Sequence, residues 1–157
     1  EIFWQRSFDI GGQRLLEKFQ KHDPILKTEV DDLNNHFNKV LSPVLMELTV
    51  HKPMTLVGSS GTFDTLSEMH CLKHGLPWHP EDPETPLTFE SFGDTFSQLL
   101  VKDRKERLAM AGMIEMRVDM IVVACCLIQF ILDRHHFEQI RVSSYSLKEG
   151  VLASLKN

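Results

Sequence analysis

Residues 56–66 read Leu-Val-Gly-Ser-Ser-Gly-Thr-Phe-Asp-Thr-Leu (LVGSSGTFDTL). Leu56 and Val57 belong to a short run, MTLVG, bounded by Pro53 and Gly58, which reads as a buried strand. From Thr62 to His74 the apolar spacing becomes helical. A strand, a glycine-rich turn and a helix in that order form one unit of an α/β sheet. Gly58 and Gly61 let the backbone turn with open N–H groups, while Ser59, Ser60 and Thr62 add hydroxyl donors at a helix N-terminus, where partial positive charge favours an anion. Gly58, Ser59, Ser60, Gly61 and Thr62 are therefore candidate phosphate-binding residues. A plain tight turn, capped by Ser60 or Thr62, is the competing reading. Two sharper motifs fail on spacing: the G-x-S-x-G nucleophile elbow needs glycine where Thr62 stands, and a Walker loop needs lysine after Gly61.

Outward from this unit, helices and strands alternate. Residues 2–9, IFWQRSFD, are rich in β-formers and end at Gly11-Gly12, predicting a strand closed by a turn. QRLLEKFQKH reads as a helix ended by Pro24. Thr28 or Asp31 is the expected cap of the next, in which Val30, Leu33, Phe37, Val40 and Leu41 recur at helical steps until Ser42-Pro43. VLMELTVHK continues as helix. GLPWHPEDPETP holds four of the seven prolines and reads as an irregular connection. Thr88 starts a helix with Phe89, Phe92, Phe96 and Leu99 on one stripe and Glu90 at a capping-compatible position, and another begins near Asp103. Residues 115–133 form a helix that is apolar nearly all round from Ile121 onward, so it belongs deep in the domain. QIRVSSYS reads as a strand and LKEGVLASL as a final helix.

The 157 residues suit one domain with a real core, and a charged fraction of 25% is ordinary for a globular protein. The formal net charge of -5 excludes the clustered basic surface that a nucleic-acid polymer requires. Cys71, Cys125 and Cys126 are odd in number and two are adjacent, so they form no disulfide framework, and a reducing cytoplasm is expected. Met120 to Leu132 is too short to span a bilayer and contains Gln129, which leaves no membrane partner. No secretory leader pattern opens the chain and residue 1 is Glu, so the chain is expected to begin within a larger protein.

Other candidates are weaker. His70 and His74 in HCLKH stand four apart on one helical face, near Cys71 and His79, but the glutamate of H-E-x-x-H is missing and no third ligand sits at a set distance. They read as a helix end with Gly75 as C-cap, and His135-His136 likewise. FDIGGQ at 8–13 has an Asp-Ile-Gly-Gly turn able to cradle phosphate, but it lacks a third glycine and a hydroxyl.

Four collinear segments resemble the exopolyphosphatase / guanosine-pentaphosphate phosphatase family (Ppx/GppA) of the actin-like superfamily. They are Gly12-Gln13-Arg14-Leu15; Gly58 to Thr62, with Ser60 in place of a glycine; Arg117-Val118-Asp119; and Leu147-Lys148-Glu149-Gly150-Val151-Leu152. Departures are Ser60, Lys148, and Ala124 where a glycine is usual. The resemblance implies an α/β fold: part of an actin-like (ribonuclease H-like) domain with a partial mixed sheet and flanking helices. Residues 1–157 would be a single domain, the C-terminal portion of the family's second domain. It implies a phosphohydrolase acting on terminal phosphoanhydrides of inorganic polyphosphate or guanosine pentaphosphate, with Mg²⁺ in the full-length enzyme. Gly58, Ser59, Ser60, Gly61 and Thr62 would form one phosphate-binding wall, with the catalytic glutamate and the first phosphate loop upstream of Glu1. Asp9 to Gly12 would then be a look-alike of the family's true loop. No catalytic residue or metal ligand is expected in this chain. Homo-oligomerisation is expected through the edge carrying Phe3, Trp4 and Phe8 or through the Phe89/Phe92/Phe96 helix. An actin-like kinase relative using ATP and a non-catalytic phosphate-ligand sensor are the alternatives.

Overall fold

A computed structural model describes residues 1–155. Eight helices and three strands follow one another there: α1 (Gly12–Phe19), α2 (Lys27–Val40), α3 (Ser42–His51), β1 (Thr55–Ser59), α4 (Gly61–His74), β2 (Glu84–Thr85), α5 (Phe89–Val101), α6 (Arg104–Leu108), α7 (Ile121–Leu132), β3 (Gln139–Ser143) and α8 (Leu147–Ser154). The apolar run that predicted a deep helix becomes α7, with Ile121, Val122, Val123, Cys125, Cys126, Ile128 and Phe130 buried. Helices α1, α2 and α5 pack around it. Phe37 of α2 meets Phe130 edge-on, with ring centroids 5.4 Å apart.

The sheet has the order β1-β3-β2. β3 runs parallel to β1, from Thr55 opposite Gln139 to Ser59 opposite Ser143, and antiparallel to β2. It is therefore mixed, and the fold class read from the sequence holds. Ile140 and Val142 point into the core, whereas Gln139 and Arg141 are exposed, the two-residue alternation of a sheet with one covered face. On the open face Arg141 donates to Glu84 across the β3–β2 pair.

Two expected caps are present. Thr88 Oγ1 accepts from the Ser91 N–H at 3.1 Å, and Asp103 forms a reciprocal capping box with Glu106. The cap of α2 differs from expectation: Leu26 is the N-cap, and Thr28 and Asp31 lie inside the helix. The reason is Glu29, whose carboxylate turns back to accept N–H bonds from Leu26 at 2.8 Å, Lys21 at 2.7 Å and His22 at 3.2 Å. One buried carboxylate at the third helical position thus supplies the half of a capping box that reaches back to the N-cap N–H, and draws the preceding loop in with it.

Residues 2–9 are not a strand. A strand exists only with a hydrogen-bonded neighbour. Here side chains hold the segment instead: Phe3 stacks on His51, Trp4 tilts against Phe8, and Arg6 lies over the Phe8 ring. The phenylalanine stripe of α5 is not a free surface either, because Phe92 is buried and Phe89 and Phe96 pack against the core. The long helix expected from residue 115 starts at Ile121, and residues 115–120 are turns. The proline-rich connection is irregular apart from β2, which is fastened from both sides: Ser144 N–H donates to Pro83 O, and Ser67 Oγ donates to Pro86 O.

Candidate phosphate-binding site

The turn from Ser59 to Thr62 sits where β1 delivers the chain into α4. Ser60 is the N-cap residue, yet its side chain makes no capping hydrogen bond. Its backbone has φ 67° and ψ 162°, a region that L-residues other than glycine rarely occupy. Ser60 is thus a serine in a conformation suited to glycine, at the position where the resemblance to the Ppx/GppA family expects one. Thr65 Oγ1 donates to Gly61 O at 3.0 Å and secures the first turn of the helix.

Side chains approach both glycines closely. A methyl group on Gly58 would fall 2.1 Å from the Phe63 ring. On Gly61 it would fall 2.2 Å from Arg117 Cζ and Nη2, so the Arg117 guanidinium lies against the Gly61 backbone. Gly61, Thr62 and Arg117 line one cleft of about 450 Å³, together with Gly11, Gly12 and Ala124. Gly11 is the N-cap of α1 and has no side chain to cap it. Two helix N-termini, α1 and α4, therefore open onto one space beside a guanidinium. Each brings partial positive charge and unsatisfied N–H groups, and Arg117 brings a full charge with a planar fork of donors.

Asp64, in the first turn of α4, is the titratable neighbour of this cleft. Burial raises its carboxyl above the ordinary aspartate value, and attraction to Arg117 and Lys148 opposes that rise. The donor set therefore suits an anion. It does not suit a divalent cation, which needs several convergent carboxylate or carbonyl oxygens. Among the described residues no three His, Cys, Asp or Glu side chains are grouped to hold a metal ion.

The structure brings together all five residues expected from the sequence except Gly58, which is buried beneath Phe63 beside the cleft rather than lining it. Three further residues line the cleft: Gly11 and Gly12, which the family resemblance makes a look-alike loop, and Arg117, which it places in an Arg-x-Asp pattern without a role. The other motif, Leu147 to Leu152, proves partly structural, because Glu149 closes a capping box with Ser146. The hydrogen bond from the Ser146 N–H leads the interactions that lower its carboxyl to about 2. His70 is buried in α4, where burial lowers its pKa, and Gly75 ends that helix in the left-handed conformation.

A partial mixed sheet with flanking helices places the chain in the actin-like fold. More particularly, the chain belongs to the Ppx/GppA phosphatase family, whose model matches residues 3–157. Exopolyphosphatase 2 of Mycobacterium tuberculosis is 28% identical over 163 residues, covering 99% of this chain and 50% of that protein. The crystal structure of an exopolyphosphatase from Cytophaga hutchinsonii superposes with a TM-score of 0.92 at 44% identity, covering 99% of this chain and 50% of that one. The Ppx/GppA family member of Aquifex aeolicus gives a TM-score of 0.74 at 29% identity, over 94% of this chain and 46% of its own. This chain spans about half the length of the relatives it matches.

Proposed function

We propose that these residues act as the C-terminal portion of an exopolyphosphatase-type phosphohydrolase and supply one phosphate-binding wall of its cleft. The observation that carries this reading is the convergence of two uncapped helix N-termini and Arg117 on one cleft, in a member of a phosphatase family. Phosphoryl transfer asks a protein mainly to position the group and neutralise charge spread over its oxygens. The N–H groups of the 59–62 turn and of the α1 start would each donate to a phosphate oxygen, with the hydroxyls of Ser59, Ser60 and Thr62 beside them. Arg117 would bind two oxygens through its fork. Inorganic polyphosphate is the substrate of this reading. Guanosine pentaphosphate, which offers the same terminal anhydride, is the second.

Hydrolysis also needs a water held in line and a base to take its proton. We assign neither to this chain, since Asp64 faces two cations. Mg²⁺, implied by the family resemblance, finds no fitting ligand set on this wall. In this reading the 157 residues alone release no phosphate. The protein works in the cytoplasm and self-associates through Ile2, Phe3 and Trp4, of which Ile2 and Phe3 are about three-quarters exposed. No helix among the described residues is long and apolar enough to cross a membrane.

The test is phosphate release by the longest natural polypeptide carrying these residues, offered polyphosphate, guanosine pentaphosphate, or ATP with a sugar. Release from polyphosphate, sharply lowered by Arg117→Ala, supports the reading. Transfer from ATP to sugar would replace it with a kinase, and tight phosphate binding without turnover would replace it with a sensor. Light scattering on the same sample reads the oligomeric state.

A further inference from the structure

Arg117, Val118 and Asp119 are consecutive, and each is committed to a different direction. Arg117 lies against Gly61 at the cleft. Val118 is fully buried. Asp119 faces the other way, accepting from Arg104 Nε at 2.9 Å. The turn that carries them is held by its own backbone, since the N–H groups of Arg117 and Val118 both donate to Ile114 O.

Behind this turn stands Arg107, which is 1% exposed. A charged side chain is almost never buried so completely without partners. Arg107 Nε donates to Val118 O at 3.1 Å, and its Nη1 donates to Asp23 Oδ1 at 2.6 Å and to Lys102 O at 2.7 Å. Asp23 in turn accepts from the Arg104 backbone N–H at 2.6 Å. The two arginines of α6 thus grip the 117–119 turn at two successive residues, one through a carbonyl and one through a carboxylate. They are themselves tied to the loop before α2. All three bonds go to backbone carbonyls and a carboxylate outside the apolar core, so the role of this buried charge is to tie segments together rather than to fill space.

We propose that Arg104 and Arg107 are positioning residues, which fix the backbone of the 117–119 turn so that Arg117 projects onto Gly61 in the geometry that receives phosphate. This rests on the reading of Arg117 as a phosphate ligand. A guanidinium on a long side chain loses rotamer freedom when it binds, and a fixed base reduces what remains to be lost. Preorganisation of this kind acts on substrate through another residue, so its effect exists only while that residue is present.

A double-mutant cycle tests it, in the longest natural polypeptide carrying these residues, with kcat and KM for polyphosphate and the melting temperature measured for each variant. Arg117→Ala is expected to lower kcat/KM about 10- to 100-fold, the loss of a charge-assisted hydrogen-bonding group. Arg104→Ala removes a half-exposed side chain and is expected to leave the protein folded while lowering kcat/KM about fivefold, chiefly through KM. In the Arg117→Ala background the same Arg104→Ala change is expected to cost nothing further. Arg107→Lys keeps the charge but not the fork, and should behave as Arg104→Ala does, with a lower melting temperature. Equal multiplicative losses from Arg104→Ala with and without Arg117 would overturn the positioning role. An Arg117→Ala variant with unchanged kcat/KM would instead overturn the phosphate-ligand reading on which it rests.

Discussion

Phe63 lays its ring across Gly58, so that a methyl group added there would fall 2.1 Å from the ring, while three residues on the same addition to Gly61 meets only the end of Arg117. The two glycines of one turn are therefore predicted to fail differently. Gly58→Ala must displace a ring close to its own backbone and should cost about 1–3 kcal/mol of stability. Gly61→Ala pushes aside the tip of a flexible side chain. It should leave urea unfolding within about 0.5 kcal/mol of the parent while weakening polyphosphate binding about tenfold. Calorimetric titration and urea melts on both variants check the contrast.

Ser60→Gly should stabilise the protein. Relief of a backbone at φ 67° and ψ 162° is worth about 1–3 kcal/mol, against which the freer unfolded chain of glycine sets about 0.5–1 kcal/mol. A net gain near 1 kcal/mol is expected in denaturant unfolding. A loss would mean that the serine is at ease in this conformation.

Thr62→Ala removes a hydroxyl from the cleft without touching the Thr65 bond that secures α4. Polyphosphate affinity should fall by about 1 kcal/mol, with little change in melting temperature. An equal fall in both would make the turn a purely structural cap.

Glu29 links stability to pH. Burial raises its pKa, but the hydrogen bonds from Leu26, His22 and Lys21 outweigh it, and the folded value lies below the ordinary one. A group depressed on folding contributes stability that is present above its unfolded pKa and lost as pH falls through the folded one. Glu29→Gln, which removes one accepting oxygen, should cost about 1–3 kcal/mol at pH 7. The gap to the parent should narrow as pH falls from about 5 toward 3. Parallel stability curves for the two proteins across that range would rule this out.

The elements were legible where one period dominated. The unbroken apolar run after Met120 could only be a buried helix, and β1 begins after Pro53 as read, but it runs through Gly58 to Ser59 and, with one face uncovered, leaves Val57 exposed rather than buried. Thr88 and Asp103 announced their helices because each side chain bonds within its own turn. What escaped depended on distant partners. Glu29 looks like any surface glutamate until the 21–26 loop folds over it. Residues 2–9 have strand composition, but composition supplies no neighbour for a ladder. At the site, the five turn residues were read locally. Gly12 and Arg117 reach the cleft only because α1 and the turn before α7 pack side by side, and no local pattern encodes that.

The pairing of Thr55 with Gln139 also sets how this chain must assemble. β1 cannot find its parallel partner until the whole segment carrying α4 through α7 has compacted, because parallel strands need a crossover and long closures are entropically slow. The helical layer around α7 can condense earlier through nearer contacts. Refolding should therefore run in the millisecond-to-second range of non-local topologies rather than the microseconds of a helical bundle. Until the last step, the β1 edge and the turn that follows it stay open to chaperones and to other copies of the chain.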